Sequence, residues 1–225
     1  MKKLIIMLCF ALTASFLQAQ WLGSANVAIG SGAAMGTLGI EYDWTPLGDK
    51  IHINPGLRIN GFSGSNIDYL TAPANLTGDE ANMDTIGFGS TSPIFINLFL
   101  RLQYDITDRF NLGFDIGLVG VSFGPEVNGT YLPGANAQTE NRLPQVVNAA
   151  PTTINALLVG DNDLGSLNST LYLGYNISER LGVNLGAGWV FTEYTTTTGV
   201  GVMDNNRFRN KNMMGSVGVT YAFGG

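Results

Sequence analysis

The sequence predicts an all-β fold, an antiparallel up-and-down barrel of eight membrane-spanning strands with short turns at one end and long loops at the other. Three observations predict it. Apolar residues recur at every second position over ten or more residues, which is the strand period and long for a globular sheet. The opposite face carries Gly, Asn and Ser where a water-facing sheet would carry Lys and Glu. Tight turns alternate with long connections along the chain.

At the N-terminus, Lys2 and Lys3 precede an apolar stretch from Leu4 to Leu17 that ends at Ala19. This is short for a spanning helix, which needs about 20 residues, and reads as a Sec signal peptide over residues 1–19. Residues 20–225 are then expected to form one barrel domain. Cys9, the only cysteine, falls inside the signal after Leu8, so neither a disulfide nor a lipid anchor is expected. Without the two signal lysines the chain has nine basic and 17 acidic residues, a net charge of −8 that argues against a nucleic-acid partner. The 30 glycines show no three-residue period and apolar residues are plentiful, which sets aside collagen and disorder. A soluble β-sandwich and a transmembrane barrel remain, and periodicity favours the barrel.

The elements follow in order. Residues 21–31 and 36–44 are the first two strands, the faintest in pattern along with the last. Residues 51–62 set Ile51, Ile53, Leu57 and Ile59 against His52, Asn54, Arg58 and Asn60. Residues 93–106 give the longest alternation, from Ile94 through Leu98, Leu100 and Leu102 to Ile106 on one face, with Phe95, Asn97, Phe99, Arg101 and Gln103 on the other. Residues 110–123 oppose Phe110, Leu112, Phe114, Ile116 and Leu118 to Asn111, Gly113, Asp115 and Gly117. Residues 167–177 oppose Leu171, Leu173 and Tyr175 to Tyr172 and Asn176, and residues 181–195 set Leu181 to Phe191 against three glycines and Asn184. Residues 211–223 close the series with Met213, Val217, Val219, Tyr221 and Phe223 on one face.

Segments 45–50, 107–109 and 178–180 read as tight periplasmic turns, whereas the long connections open near Phe62 and at Gly124 and are expected outside the cell. Pro133, Pro144 and Pro151 argue against regular pairing through most of the second long connection, although 152–159 leaves room to extend a strand. Tyr42, Tyr104 and Tyr175 each precede a short turn, and Tyr221 holds the same place in the last strand. Together they predict a periplasmic aromatic belt.

This pattern resembles the small outer-membrane barrels of the OmpX, OmpA-transmembrane and OmpW kind over nearly all of the chain after the signal. The resemblance implies a bacterial outer-membrane location, contact with outer-membrane lipid and lipopolysaccharide, and insertion by the barrel assembly machinery. Ser216, Gly218, Tyr221 and Phe223 resemble the C-terminal signal that this machinery reads, with Gly224 and Gly225 as a departure from the usual aromatic end. The Asp84-Thr85-Ile86 triplet also matches a short O-glycosylation pattern of some Bacteroidota.

Residues for chemistry are few. His52 is the only histidine and lies just past a short turn, toward the periplasm and away from the outer leaflet where lipid-modifying enzymes of this compartment work. Asp79-Glu80 and the pair Asp161 and Asp163 fall in long connections and read as solvated charge; Asp68, Asp79, Glu80 and Asp84 could bridge divalent cations to lipid phosphates. No catalytic residue, cofactor or bound metal is expected. Four ionisable residues, Glu41, Arg58, Arg101 and Asp115, fall on inward faces, where a narrow interior requires them to pair. The two arginines are expected to bridge the two acids as a lumen plug, with a gate or selectivity ring as the alternative.

Three functions remain open. The first is a structural or interaction barrel with a plugged lumen and loops that contact envelope or surface proteins. The second is an OmpW-like conduit for small hydrophobic molecules, with Phe95, Phe99 and Tyr172 lining a tunnel. A lipid-modifying enzyme comes last, because no nucleophile and base stand together.

Overall fold

A computed structural model describes residues 20–137, 143–158 and 162–223. The expected signal peptide, Gly224, Gly225, Arg142 and Asp161 lie outside the described residues. Twelve strands form one sheet: β1 (Gln20–Gly30), β2 (Ala33–Asp43), β3 (Ile51–Thr71), β4 (Thr85–Thr91), β5 (Ile94–Asp105), β6 (Phe110–Phe123), β7 (Val127–Leu132), β8 (Gln145–Pro151), β9 (Ile154–Ala156), β10 (Leu167–Asn176), β11 (Leu181–Thr196) and β12 (Arg207–Phe223). Among the described residues, eight of them close on themselves in the order β1, β2, β3, β5, β6, β10, β11, β12, and every neighbouring pair is antiparallel. The chain is an eight-stranded up-and-down barrel.

Its wall is inside-out relative to a soluble protein. Leu38, Leu98, Leu102, Leu112, Leu171 and Val217 stand exposed on the exterior, while Asn54, Arg58, Asn97, Arg101 and Asp115 are buried in the lumen. No helix among the described residues is long and apolar enough to cross a membrane. The strands behind the exposed band pair their backbone groups with one another around the closed ring, as a bilayer interior demands. The belt tyrosines lie at one end, and Trp21, Phe110 and Phe223 join them: Trp21 meets Tyr42 at 5.4 Å, Phe110 meets Tyr175 at 5.0 Å and Phe223 meets Tyr221 at 5.4 Å. This exterior is that of an outer-membrane barrel.

Leu100 points outward and pairs with Pro55 near mid-strand. Leu100→Arg is expected to cost about 2 to 4 kcal/mol, the penalty for a cation at the midplane. Urea titration of refolding into liposomes measures it. In the same assay Leu102→Gln should harm more than Gln103→Leu, and the reverse order would place the register off by one residue.

Several boundaries differ from those the alternation predicts. β2 begins at Ala33, because Ser31 and Gly32 alone turn the first hairpin, with Gly32 in the left-handed region at φ 66°. Both Leu118 and Val119 face outward, since a bulge opposite Leu98 and Phe99 inserts one residue and shifts the alternation of β6.

The largest correction concerns the extracellular side. β3 runs on to Thr71, nine residues past its expected end, and β12 begins at Arg207. Above the lipid-facing wall, the top of β3 pairs with β4, β4 with β7, β7 with β8, β8 with the top of β11, and β12 returns to β3 through Phe208 and Thr71. Among the described residues, six strands thus close a second, smaller ring on top of the first. The prolines do not prevent this: Pro133 and Pro144 lie just outside β7 and β8, and Pro151 is the last residue of its strand. β9 lies outside this ring, beside the top of β6.

Candidate functional site

Among the described residues, four layers fill the space enclosed by the two rings and one more packs against the outer side of their wall. At the periplasmic mouth lies a polar cavity of about 390 Å³ lined by Asp43, His52, Gln103, Asp105 and Asn111. His52 stands between two carboxylates: Nδ1 is 2.8 Å from Asp43 and Nε2 is 3.1 Å from Asp105. Both ring nitrogens are thereby engaged with structural partners, and the imidazole ties the end of β2 and the end of β5 to the start of β3.

Above it is the layer of lumen charges. Arg101 lies 2.5 Å from Glu41 and 4.0 Å from Asp115, while Arg58 lies 2.5 Å from Asp115 and donates at 2.6 Å to the Asn168 carbonyl. Glu41 is fully buried and the other three are nearly so. Two cations and two anions neutralise one another in a space that admits little water, which is the condition for keeping them there. Phe99 and Tyr172 frame them: Arg58 sits 4.9 Å from the Phe99 ring centre and Arg101 sits 5.3 Å from that of Tyr172. The Tyr172 ring lies so close over Gly113 that a Cβ there would fall 2.1 Å from it. Glycines on the inner face are thus what lets aromatic rings fold flat across so narrow a lumen.

The third layer is a web of amides. Asn155 donates to Asn97 at 2.8 Å, Asn97 donates to the Ser166 carbonyl at 3.0 Å, and Ser122 donates to Asn155 at 2.8 Å. The fourth lies on the outer side of the wall, where Glu193 accepts from Arg207 at 2.8 Å and from Arg209 at 2.7 Å, and both arginines also donate to the Asp163 carbonyl. The fifth is an aromatic core inside the upper ring. Tyr69 meets Phe88 at 5.1 Å and Tyr194 at 5.4 Å, both edge to face, and Tyr131 meets Phe208 at 6.4 Å. Burial pushes the Tyr69 hydroxyl up to about 12, so it stays a neutral partner of Thr192 and Thr91.

Asp84 locks this cap. Its carboxylate is fully buried, accepting from the Gly134 N–H at 2.8 Å and from the Val202 N–H at 3.0 Å, so it binds three extracellular connections together. Thr85 lies in β4, paired with Leu70 and Leu132. The Asp84-Thr85-Ile86 triplet is thus a folded element of the cap. Asp79 caps a helical turn through the Ala81 N–H, and Asp163 accepts from the Leu158 N–H; the described residues contain no group of three or more His, Cys, Asp or Glu placed to hold a metal ion.

Phe95, Phe99 and Tyr172 all point inward, but they are buried against their neighbours and line no tunnel at the outer end among the described residues. Ser216 and Gly218 face the lumen while Tyr221 and Phe223 face outward, on the strand whose pairing with β1 closes the barrel. The alternation that places the lumen charges does not reach Arg207 and Arg209, because the predicted eighth strand starts at Lys211, and it puts Glu193, within the predicted 181–195 strand, on the outward face. The every-second-residue spacing of Arg207, Arg209 and Lys211 is the signal that extends it.

No protein-family model matches the chain, and no curated protein matches it by sequence. Among solved structures it is similar to a de novo designed transmembrane β-barrel, with a TM-score of 0.39 and 10% identity over 91% of this chain and 95% of that one. It is also similar to Neisserial surface protein A, with a TM-score of 0.38 and 11% identity over 91% of this chain and 96% of that one. Ail, the attachment invasion locus protein of Yersinia pestis, gives a TM-score of 0.37 and 9% identity over 91% of this chain and 97% of that one. At these values the likenesses say nothing of activity or partners.

Proposed function

We propose that the chain is a closed outer-membrane barrel that carries a rigid cap at the cell surface for contact with other molecules, and that its lumen passes no solute. One observation carries this reading: the connections that would gate a channel are themselves folded into a ring with its own aromatic core around Tyr69, Phe88 and Tyr194. Order of this kind costs a mobile loop its freedom and suits a surface that must keep its shape. The outer face of that ring offers apolar contact, with Val146 on β8 and Leu143 beside it about three-quarters exposed at 76% and 77%. Biogenesis fits the same picture, with Ser216, Gly218, Tyr221 and Phe223 read by the assembly machinery on the strand that seals the ring.

Planar-bilayer recording together with uptake of a small hydrophobic probe tests this. The purified chain is expected to give no conductance steps, and cells that carry it should take up the probe no faster than cells without it. Steady conductance would make the lumen a gated pore, and faster uptake would make the barrel a hydrophobic conduit.

A further inference from the structure

The described basic residues occupy three separate places. Lys50, Arg109 and Arg180 sit in or beside the periplasmic turns, and Arg58 and Arg101 are inside the lumen. On the extracellular side the described basic residues are Arg207, Arg209 and Lys211, in one row on the outward face of β12. The cap around them is acidic, with Asp68, Asp79, Glu80, Asp84, Glu126 and Asp204 among its residues.

The height of this row is set by geometry. Lys211 stands ten residues above Tyr221 of the periplasmic belt on the same strand and face. At about 3.4 Å per residue and a tilt of about 40°, that separation is about 26 Å, close to the roughly 25 Å apolar band of such barrels. Lys211 therefore lies where the hydrocarbon of the outer leaflet gives way to its headgroups. Directly below, Trp189 and Met213 pair across β11 and β12, both more than half exposed.

Charge and shape differ along the row. Arg207 and Arg209 share the one carboxylate of Glu193, whereas Lys211 makes no ion pair among the described residues and holds its Nζ 5.6 Å from the Phe191 ring centre. Beside it opens a groove of about 390 Å³, lined by Leu70, Ala72, Met83, Asn210 and Lys211 together with Asp68. The Asp68 carboxylate leans toward Gly87 on β4, on the side away from β12.

We propose that this groove holds a phosphorylated glycolipid of the outer leaflet. Its phosphate rests on Lys211, its sugar lies against Leu70 and Met83, and its acyl chains descend over Met213 and Trp189. An ammonium is a point-charge partner for phosphate, and an unpaired one at headgroup depth under an acidic cap confines the anion to this place.

Native mass spectrometry of the detergent-solubilised chain with bis-phosphorylated lipid A tests the assignment, with heat-modifiable gel mobility reporting the fold. Lys211→Gln should lower the lipid-bound fraction about five- to tenfold, the scale of one charge-assisted contact, while Lys50→Gln at the periplasmic rim leaves it unchanged. Unaltered protein should retain dephosphorylated lipid A equally poorly, and this arm needs no variant to fold. Equal binding by a folded Lys211→Gln protein, or equal retention of the dephosphorylated lipid, would overturn the site. Displacement by soluble glucosamine 1-phosphate at matching concentration would overturn the lipid as its source.

Discussion

Arg101→Ala is expected to destabilise the barrel by about 3 to 5 kcal/mol, because removing one member of a buried ion pair strands the other. Glu41 is fully buried and loses the cation 2.5 Å away, while Asp115 keeps Arg58 at the same distance. The urea midpoint of unfolding in liposomes should fall accordingly. Replacing both partners, as Arg101→Met with Glu41→Leu, should recover much of the loss, since no charge is then left without its partner. A double variant as unstable as Arg101→Ala would mean that the arginine acts through its contacts with Phe99 and Tyr172.

The same variant separates a plug from a gate. Without the Arg101 side chain, the periplasmic cavity of about 390 Å³ can join the void of about 30 Å³ beside Phe99 and Asn168. The amides of Asn97 and Asn155 and the aromatic core still lie above that space. Single-channel recordings of Arg101→Ala should therefore remain silent. A new conductance would show that the charge layer alone closes the path, and the closed-barrel reading would fall.

The barrel was legible because a bilayer imposes a simple rule along each strand. Outward residues must be apolar and inward residues must fit a narrow lumen, so Leu98 and Arg101 declare their faces from sequence alone. That alternation also puts Glu41, Arg58, Arg101 and Asp115 inside, although which acid meets which cation depends on how four strands align. The cap obeys no such rule. Its exterior meets water and three of its strands are short, and the alternation changes phase where β3 passes from the lower ring to the upper: buried positions are even through Gly64 and odd from Ile67, and Phe88 gives way to Thr91 on its partner β4. Asn66, at φ 52°, marks the change on β3. Read with a single phase, Ile67, Tyr69 and Thr71 have no face to belong to and the segment looks like a loop.

Phe88→Ala is expected to loosen the cap and spare the barrel. The ring is 1% exposed, packs against Tyr69 and Tyr194, and lies so close over Gly129 of β7 that a Cβ there would fall 2.6 Å from it. Truncating it removes no hydrogen bond and leaves a cavity at the centre of the small ring, a change worth about 3 to 5 kcal/mol in a packed core. The ring joins three short strands, β4, β7 and β8, to the upper ends of β3, β11 and β12, and the short strands have little besides this core to hold them, so this loss should appear as local opening. Limited proteolysis of the protein in liposomes should then cut within 72–84 or 124–144 many times faster than in the unaltered chain. Gel mobility before boiling should still report a closed barrel, because the pairings from β1 to β2 and from β11 to β12 lie mostly below the cap. Loss of the folded mobility as well would make the two rings one cooperative unit. Unchanged proteolysis would mean that Asp84, through Gly134 and Val202, holds the connections closed without the aromatic core.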